Sequence, residues 1–553
     1  MAWTDLSICL EGPVVDDIRA HFVQRWNFEY DLQYAPAIND RIERLKLSDS
    51  DDRYHNNGTN MHAFANFLEP SHTKRASGED RGLSVQLVRS VGRWSHGTPT
   101  EHSIANAYVS VIAKSEHFIY IENQYFITGT SDDQTFVLNK IGAAIVERVI
   151  RAAKSGERYR IIVVMPAVPA FAGDVQYDSS PGTLAIMGLQ YKSISRGKHS
   201  IMQRIRDAGV DPDDYISFYN LRSYDRIDTS ANVENQSGVS YESARKEHDD
   251  VVGAGYNGRG EDTSGNSLPN SQYNRYQQAA RSEQCKDNNA DSSGMQRRSD
   301  STIVPQASHH YEEIDAIVSE EVYVHSKFLI ADDRVVIVGS ANLNDRSQLG
   351  YRDSEIAVVI EDTAVVDSHM NGEPFPAARF AAGLRRQLFR RYVGLLPRQA
   401  ANQSHNNFPP LSATGNDYDW GSEGDRLVQD PLSESFDMLW KNTARMNTKA
   451  FDKVFRPLPS DSVRNWDDYE EYYGQYFASP SVSGAEDLGT NLKPKFQYGH
   501  VFKHNFPGGI RDVRLELEKI KGTLVEMPLD FLVEIEDLEK EGFSEDFRPE
   551  VYA

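Results

Sequence analysis

Cysteine is close to absent from these 553 residues: Cys9 and Cys285 are the two present, far apart in the chain. Two distant thiols support neither a disulfide framework nor a structural zinc site, and a reducing, cytoplasmic setting is expected. The opening Met1-Ala2-Trp3-Thr4-Asp5-Leu6 has no basic segment followed by an apolar one, so no secretory signal is read there. Long apolar runs are missing as well. The most apolar stretch, 161–173, is short and broken by Pro166 and Pro169, which excludes a spanning helix and leaves peripheral membrane contact as the expected mode. Positive charge is in deficit, with 59 Lys and Arg against 82 Asp and Glu and a net charge of −23. Tracking nucleic-acid phosphates over a wide surface requires clustered cations, so nucleic acid is not an expected partner.

What is present is a βα rhythm. Val85-Gln86-Leu87-Val88-Arg89 reads as a strand, and a helix follows over 101–114 with Ile104, Ala107, Val111 and Ile112 on one face. The pattern continues as strand 118–121, helix 136–153, buried strand 159–165, a helical segment over 183–208 and strand 215–220. Apolar strands alternating with helices predict a layered α/β/α sandwich. Over 228–312, Ser, Asn, Asp, Gly, Gln and Arg dominate and apolar residues are too sparse to offset ordering entropy, which predicts a disordered insertion. Strands over 323–331, 334–338 and 355–360 follow. After them come a basic amphipathic helix over 380–395, a loop over 398–430, a helix over 436–454, a flexible link over 480–493 and an ordered stretch to 537. One internal likeness stands out: 3–16 can be laid over 352–367 with small gaps, placing Asp5 on Glu355. The expected divisions are therefore the tail of a first repeat with its connecting loop (1–83), the first part of a complete second repeat (84–227), the insertion (228–312), the remainder of that repeat (313–400) and a C-terminal extension (401–553).

The strongest chemical signal is His325-Ser326-Lys327-Phe328-Leu329-Ile330-Ala331-Asp332, followed by Gly339-Ser340-Ala341-Asn342. Six residue types at fixed spacing arise by chance in such a chain with odds of roughly one in 10^5. On a continuous strand His325 and Lys327 share a face, setting a nucleophile or proton carrier beside a fixed cation. Lys327 can neutralise a phosphate oxygen, Asn342 can donate an amide hydrogen bond, and the Gly339-Ser340 turn can bring backbone amides close. Glu355, opening the next strand, is the expected partner of the other imidazole nitrogen. Phosphoryl chemistry is the reading these residues favour over a core histidine beside an edge lysine.

This His-x-Lys-x4-Asp and Gly-Ser-x-Asn pattern resembles the phospholipase D superfamily. Further likeness to the eukaryotic, especially fungal, phosphatidylcholine-hydrolysing enzymes runs through Ile119-Tyr120-Ile121-Glu122-Asn123-Gln124-Tyr125-Phe126, Ile216-Ser217-Phe218-Tyr219-Asn220-Leu221-Arg222, Asn342-Leu343-Asn344-Asp345-Arg346-Ser347, Ser368-His369-Met370-Asn371-Gly372 and Pro528-Leu529-Asp530-Phe531-Leu532. The resemblance implies a pseudo-twofold enzyme in which two such motifs meet in one cleft and phosphate passes through a histidine. It makes His325 the general acid, has Lys327, Ser340 and Asn342 hold phosphate, and gives Asp332 a structural part. It implies no metal and no organic cofactor. It also implies a phospholipid membrane surface as partner, with an anionic lipid as activator. Glu122, Asn123 and Gln124 either line the cleft or end a buried strand. Arg385, Arg386, Arg390 and Arg391 either meet anionic headgroups or form a solvated helix face.

Trp3-Thr4-Asp5-Leu6 resembles a family segment that follows the first motif, so the first His, Lys and Asp are expected to precede Met1. His72-Thr73-Lys74 has a similar start, but Glu79 takes the acidic position and no apolar strand follows. Three readings remain: the second-motif half of a phospholipase D, weak alone and completed by the missing half in cis or in trans; a single-motif phosphodiesterase completed by homodimerisation; or a non-catalytic lipid-binding remnant.

Overall fold

Runs rich in Val, Ile and aromatic residues form the strands of one large sheet, and their unbroken apolarity follows from cover on both faces. The computed structural model describes residues 2–34, 42–46, 83–134, 137–169, 181–226, 313–396, 420–476 and 498–541, together with 237–240, 243, 272, 275 and 276. The strands are β1 (Ala2–Thr4), β2 (Leu83–Val91), β3 (Glu101–His102), β4 (Phe118–Asn123), β5 (Arg160–Val164), β6 (Ile216–Arg226), β7 (Ile317–Val324), β8 (Lys327–Ala331), β9 (Val335–Gly339), β10 (Glu355–Asp362), β11 (Val365–Met370), β12 (Glu373–Ala378) and β13 (Leu524–Glu526). Eleven of them make one sheet in the order β1-β7-β6-β5-β4-β8-β9-β10-β2-β3, with β13 added on β6, while β11 and β12 form a separate hairpin. β4, β5 and β6 run parallel, as does the pair β1 and β7.

Alternation along each strand divides the core into two layers. Ile119, Ile121, Ile161, Val163 and Leu329 face α2 (Ser103–Lys114), α3 (Ile141–Ser155), α4 (Pro181–Ile194) and α5 (Ile201–Asp207). Phe118, Tyr120, Ile162, Val164, Phe328 and Ile330 face α6 (Arg379–Tyr392), α7 (Glu423–Gln429) and α8 (Glu434–Phe455). This is a layered α/β/α sandwich. The helix that follows β1, α1 (Val14–Glu29), reaches β2, where Arg89 hydrogen-bonds Gln24 at 2.7 Å.

Several expectations need correction. The helical segment over 183–208 is two helices, because Ser200 caps the second through the Gln203 amide and turn residues intervene. The loop over 398–430 contains α7, capped by Ser422. Asp5 follows its strand whereas Glu355 opens one, and a hairpin separates β10 from its helix, so the overlay of 3–16 on 352–367 is looser than the sequence suggests. The basic face of α6 is neither solvated nor free for lipid. Arg385 and Arg386 are buried, with Arg385 paired to Asp333 and Arg386 to Asp425, and Arg390 is buried too. Nearly all of 228–312, together with 398–419, 480–493, the last dozen residues, Cys285 and His72-Thr73-Lys74, lies outside the described residues.

Candidate active site

The expected single strand over 323–331 is two. β7 follows β6 and ends at Val324; after His325 and Ser326 the chain enters β8 and pairs with β4. Local bonds account for the break. The His325 amide donates to the Thr4 carbonyl at 2.9 Å, prolonging the β1 pairing, while the Ser326 hydroxyl turns inward to Glu122 at 2.6 Å. Lys327 then opens β8 opposite Asn123, at the C-terminal end of parallel β4, where sheets of this kind commonly bind ligands.

Lys327 reaches the backbone of His325 across this break, which is not a flat strand. The Lys327 ammonium donates to Gln124 Oε1 at 2.9 Å and to the carbonyl of His325 itself. Only 7% of Lys327 is exposed, and burial pushes its ammonium down to about 8 against the opposing pull of Asp5 and Glu355. The His325 side chain is 38% exposed, and its Nδ1 lies 2.7 Å from Asp5 Oδ2. Asp5 therefore takes the part that the sequence reading assigns to Glu355. Glu355 instead accepts from the hydroxyls of Ser340 at 2.5 Å and Ser347 at 2.7 Å. Burial raises its carboxyl above the ordinary range, with the two hydroxyls acting against that rise.

The Gly339-Ser340 turn serves the sheet. A Cβ on Gly339 would meet Ala357 Cβ and the Ile356 carbonyl, each at 2.4 Å, and the Ser340 amide donates to that same carbonyl. Asn342 lies in the following loop with Oδ1 enclosed and without a donor, while its carbonyl accepts from Gln348. Asp332 accepts three backbone amides at the start of β4, from Glu116, His117 and Phe118, at 2.7 to 2.8 Å. That fixes the β8 turn to the neighbouring strand, far along β8 from Lys327.

Of Glu122, Asn123 and Gln124, the last, one residue past β4, is the one whose side chain is bonded to Lys327. Gln124 bridges Lys327 and the Tyr323 hydroxyl. Asn123 is buried and accepts from the Leu343 amide, holding the loop that carries Asn342. Glu122 points into the opposite layer, where it meets the hydroxyls of Tyr120, Tyr392 and Ser326. Sequence reasoning passed over Trp3, which is half-exposed with its ring centroid 5.1 Å from that of His325 and 4.9 Å from that of Tyr323. It saw Asp5 only as a counterpart of Glu355. That overlay held the signal: two acids in matching places suggest that each serves the other's histidine.

A cation and a carboxylate-oriented imidazole two residues apart at one strand end are groups of the kind that hold a phosphodiester and pass it a proton. Comparison with known proteins accords with that chemistry. The family model for Phospholipase D matches residues 1–250 and 285–402. The chain is 31% identical over 558 residues to Phospholipase D1 of Homo sapiens, covering 99% of this chain and 37% of that protein. It is 30% identical over 545 residues to Phospholipase D2 of Bos taurus, covering 96% and 40%. With Phospholipase D1 of Schizosaccharomyces pombe it shares 33% over 398 residues, 71% of this chain and 21% of that one. The chain thus spans about two fifths of the length of the first two relatives.

Proposed function

The chain belongs to the phospholipase D family, and from that premise we propose that its cleft cleaves phosphatidylcholine to phosphatidate and choline, as the half that carries the second motif. The arrangement of Asp5, His325 and Lys327 supports this reading. With Asp5 accepting at Nδ1, the Nε2 nitrogen of His325 is left to exchange a proton with the substrate. A histidine of a first-motif half, in cis or in trans, attacks phosphorus. The P–N bond forms as the P–O bond to choline breaks, and His325 delivers its proton to the departing oxygen. His325, now neutral, takes a proton from water as the water oxygen attacks phosphorus and the P–N bond breaks, releasing phosphatidate and the first histidine and restoring the acid; an alcohol in place of water gives the transphosphatidylation product. Lys327 neutralises a phosphate oxygen throughout.

The exposed indole of Trp3 beside His325 supports a choline headgroup, because a quaternary ammonium is drawn to an aromatic face. A peripheral membrane location fits the same substrate, and among the described residues no helix is long and apolar enough to cross a bilayer. The test is choline release from phosphatidylcholine vesicles by the chain mixed with a polypeptide bearing a first His-x-Lys-x4-Asp motif. Release that His325→Asn abolishes supports the assignment. Release that survives it overturns the acid role.

A further inference from the structure

Glu122 takes no part in the chemistry above, yet it is among the most completely bonded side chains near the site. It is 1% exposed and lies on the face of β4 opposite Lys327, among Tyr120, Phe328 and α6. Its Oε1 accepts from the hydroxyls of Tyr120 and Tyr392, at 2.5 and 2.6 Å, and its Oε2 from Ser326 at 2.6 Å. A carboxyl buried in an apolar layer is costly unless its lone pairs are filled, and three short hydroxyl bonds fill them. A sheet core needs no such group, since Phe, Ile or Leu would cover the same area without desolvating a charge.

The identity of the donors shows what the group is for. Ser326 is the residue between His325 and Lys327, and it lies in the two-residue break where the backbone is not held by a regular ladder. Tyr392 ends α6, and its neighbour Arg391 donates to Thr4 Oγ1 at 3.2 Å. Thr4 in turn accepts the His325 amide on its carbonyl and precedes Asp5, the partner of the imidazole. The end of α6 is thereby tied to His325 twice, through Glu122 and Ser326 beneath and through Thr4 and Asp5 beside it.

We propose that Glu122, clamped by Tyr392 and gripping Ser326, is a positioning residue that sets the direction of the His325 imidazole relative to Asp5 and Lys327. The Ser326 hydroxyl bond to Glu122 and the His325 amide bond to the Thr4 carbonyl hold the two residues of the break from opposite sides, and together they fix the direction in which the imidazole leaves the backbone. Loss of the Ser326 bond frees the break to rotate, and the imidazole then leaves Asp5 although every reacting group is still present. The proposal rests on the functional reading only for what His325 does, and the bond geometry can be tested separately.

The experiment uses the full chain with histidine-selective NMR to follow the His325 Nδ1 proton, which the bond to Asp5 protects from exchange. In Ser326→Ala this proton is expected to exchange about tenfold faster or more, a loss of roughly 1.4 kcal/mol of protection, in a chain that still unfolds cooperatively though at a lower temperature, since the buried carboxyl loses one donor. Ser326→Thr, which restores a hydroxyl, is expected to recover the signal. Tyr392→Phe is expected to shift it less, because Glu122 keeps its bond to Ser326. In the mixture that releases choline, Ser326→Ala should lower kcat with KM little changed. Equal protection of the His325 proton in parent, Ser326→Ala and Tyr392→Phe would overturn the proposal and leave Glu122 a structural brace. Unchanged choline release in His325→Asn would instead defeat the functional reading, and the two failures are separable.

Discussion

At the scale of single residues, the site depends on charges whose surroundings set when they exist. Lys327 holds its proton only to about pH 8, because burial disfavours the ammonium. Inorganic phosphate binding, followed by calorimetry, should therefore weaken as pH rises through 8, and Lys327→Ala should remove most of that dependence. Stability has the opposite sign. Between about 8 and the ordinary lysine value near 10.4 the unfolded chain holds the proton and the folded chain does not, so this group makes the protein more stable as pH rises across that window. Lys327→Met should flatten the slope in urea unfolding. Asp5 acts on His325 by orientation: Asp5→Asn should cost about 10^2-fold or more in choline release, within the range assigned to general acid catalysis, with a small change in unfolding free energy because the pair is partly exposed. The spacing of His325 and Lys327 singled them out, but it read them onto one continuous strand where the structure has two. Spacing did not single out Asp5, because its part depends on where a three-residue strand docks.

At the scale of elements, α6 shows where pattern reading succeeds and where it stops. Its apolar spacing marks a helix over nearly the observed range, but its arginines read as surface while three of them are buried. The acids that neutralise two of them, Asp333 and Asp425, stand 52 and 39 positions away, beyond any local window. Arg385 meets both oxygens of Asp333 and the carbonyls of Val428 and Gln429, with no exposure on either side chain of the pair. Arg385→Ala leaves a buried carboxylate unpaired and should cost about 3 to 5 kcal/mol in urea unfolding. Replacing Arg385 and Asp333 together with apolar residues should recover much of it. The strand over 323–331 failed as one element for a related reason: its residues all favour extended backbone, and the kink comes from partners on β1 and β4.

At the scale of the whole molecule, the layered fold was legible because strands buried on both faces carry continuous apolar runs, which few other architectures tolerate. Membrane approach was harder to read. With a net charge of −23 and three of the five α6 arginines buried, that helix offers little basic surface for anionic headgroups. Repulsion between like charges is screened by salt. Co-sedimentation with phosphatidylcholine vesicles containing anionic lipid should therefore improve from low to physiological salt, and a fall would reveal a basic patch elsewhere.

The pairing of Asp5 with His325 joins positions 320 residues apart, and it has a consequence for biosynthesis. The carboxylate leaves the ribosome first and must wait for its imidazole, roughly a quarter of a minute to a minute at ordinary rates of translation. Until then a nascent chain carries Asp5 without the ring it holds, so a polypeptide cut short by translation stalled before residue 325 lacks the pair altogether.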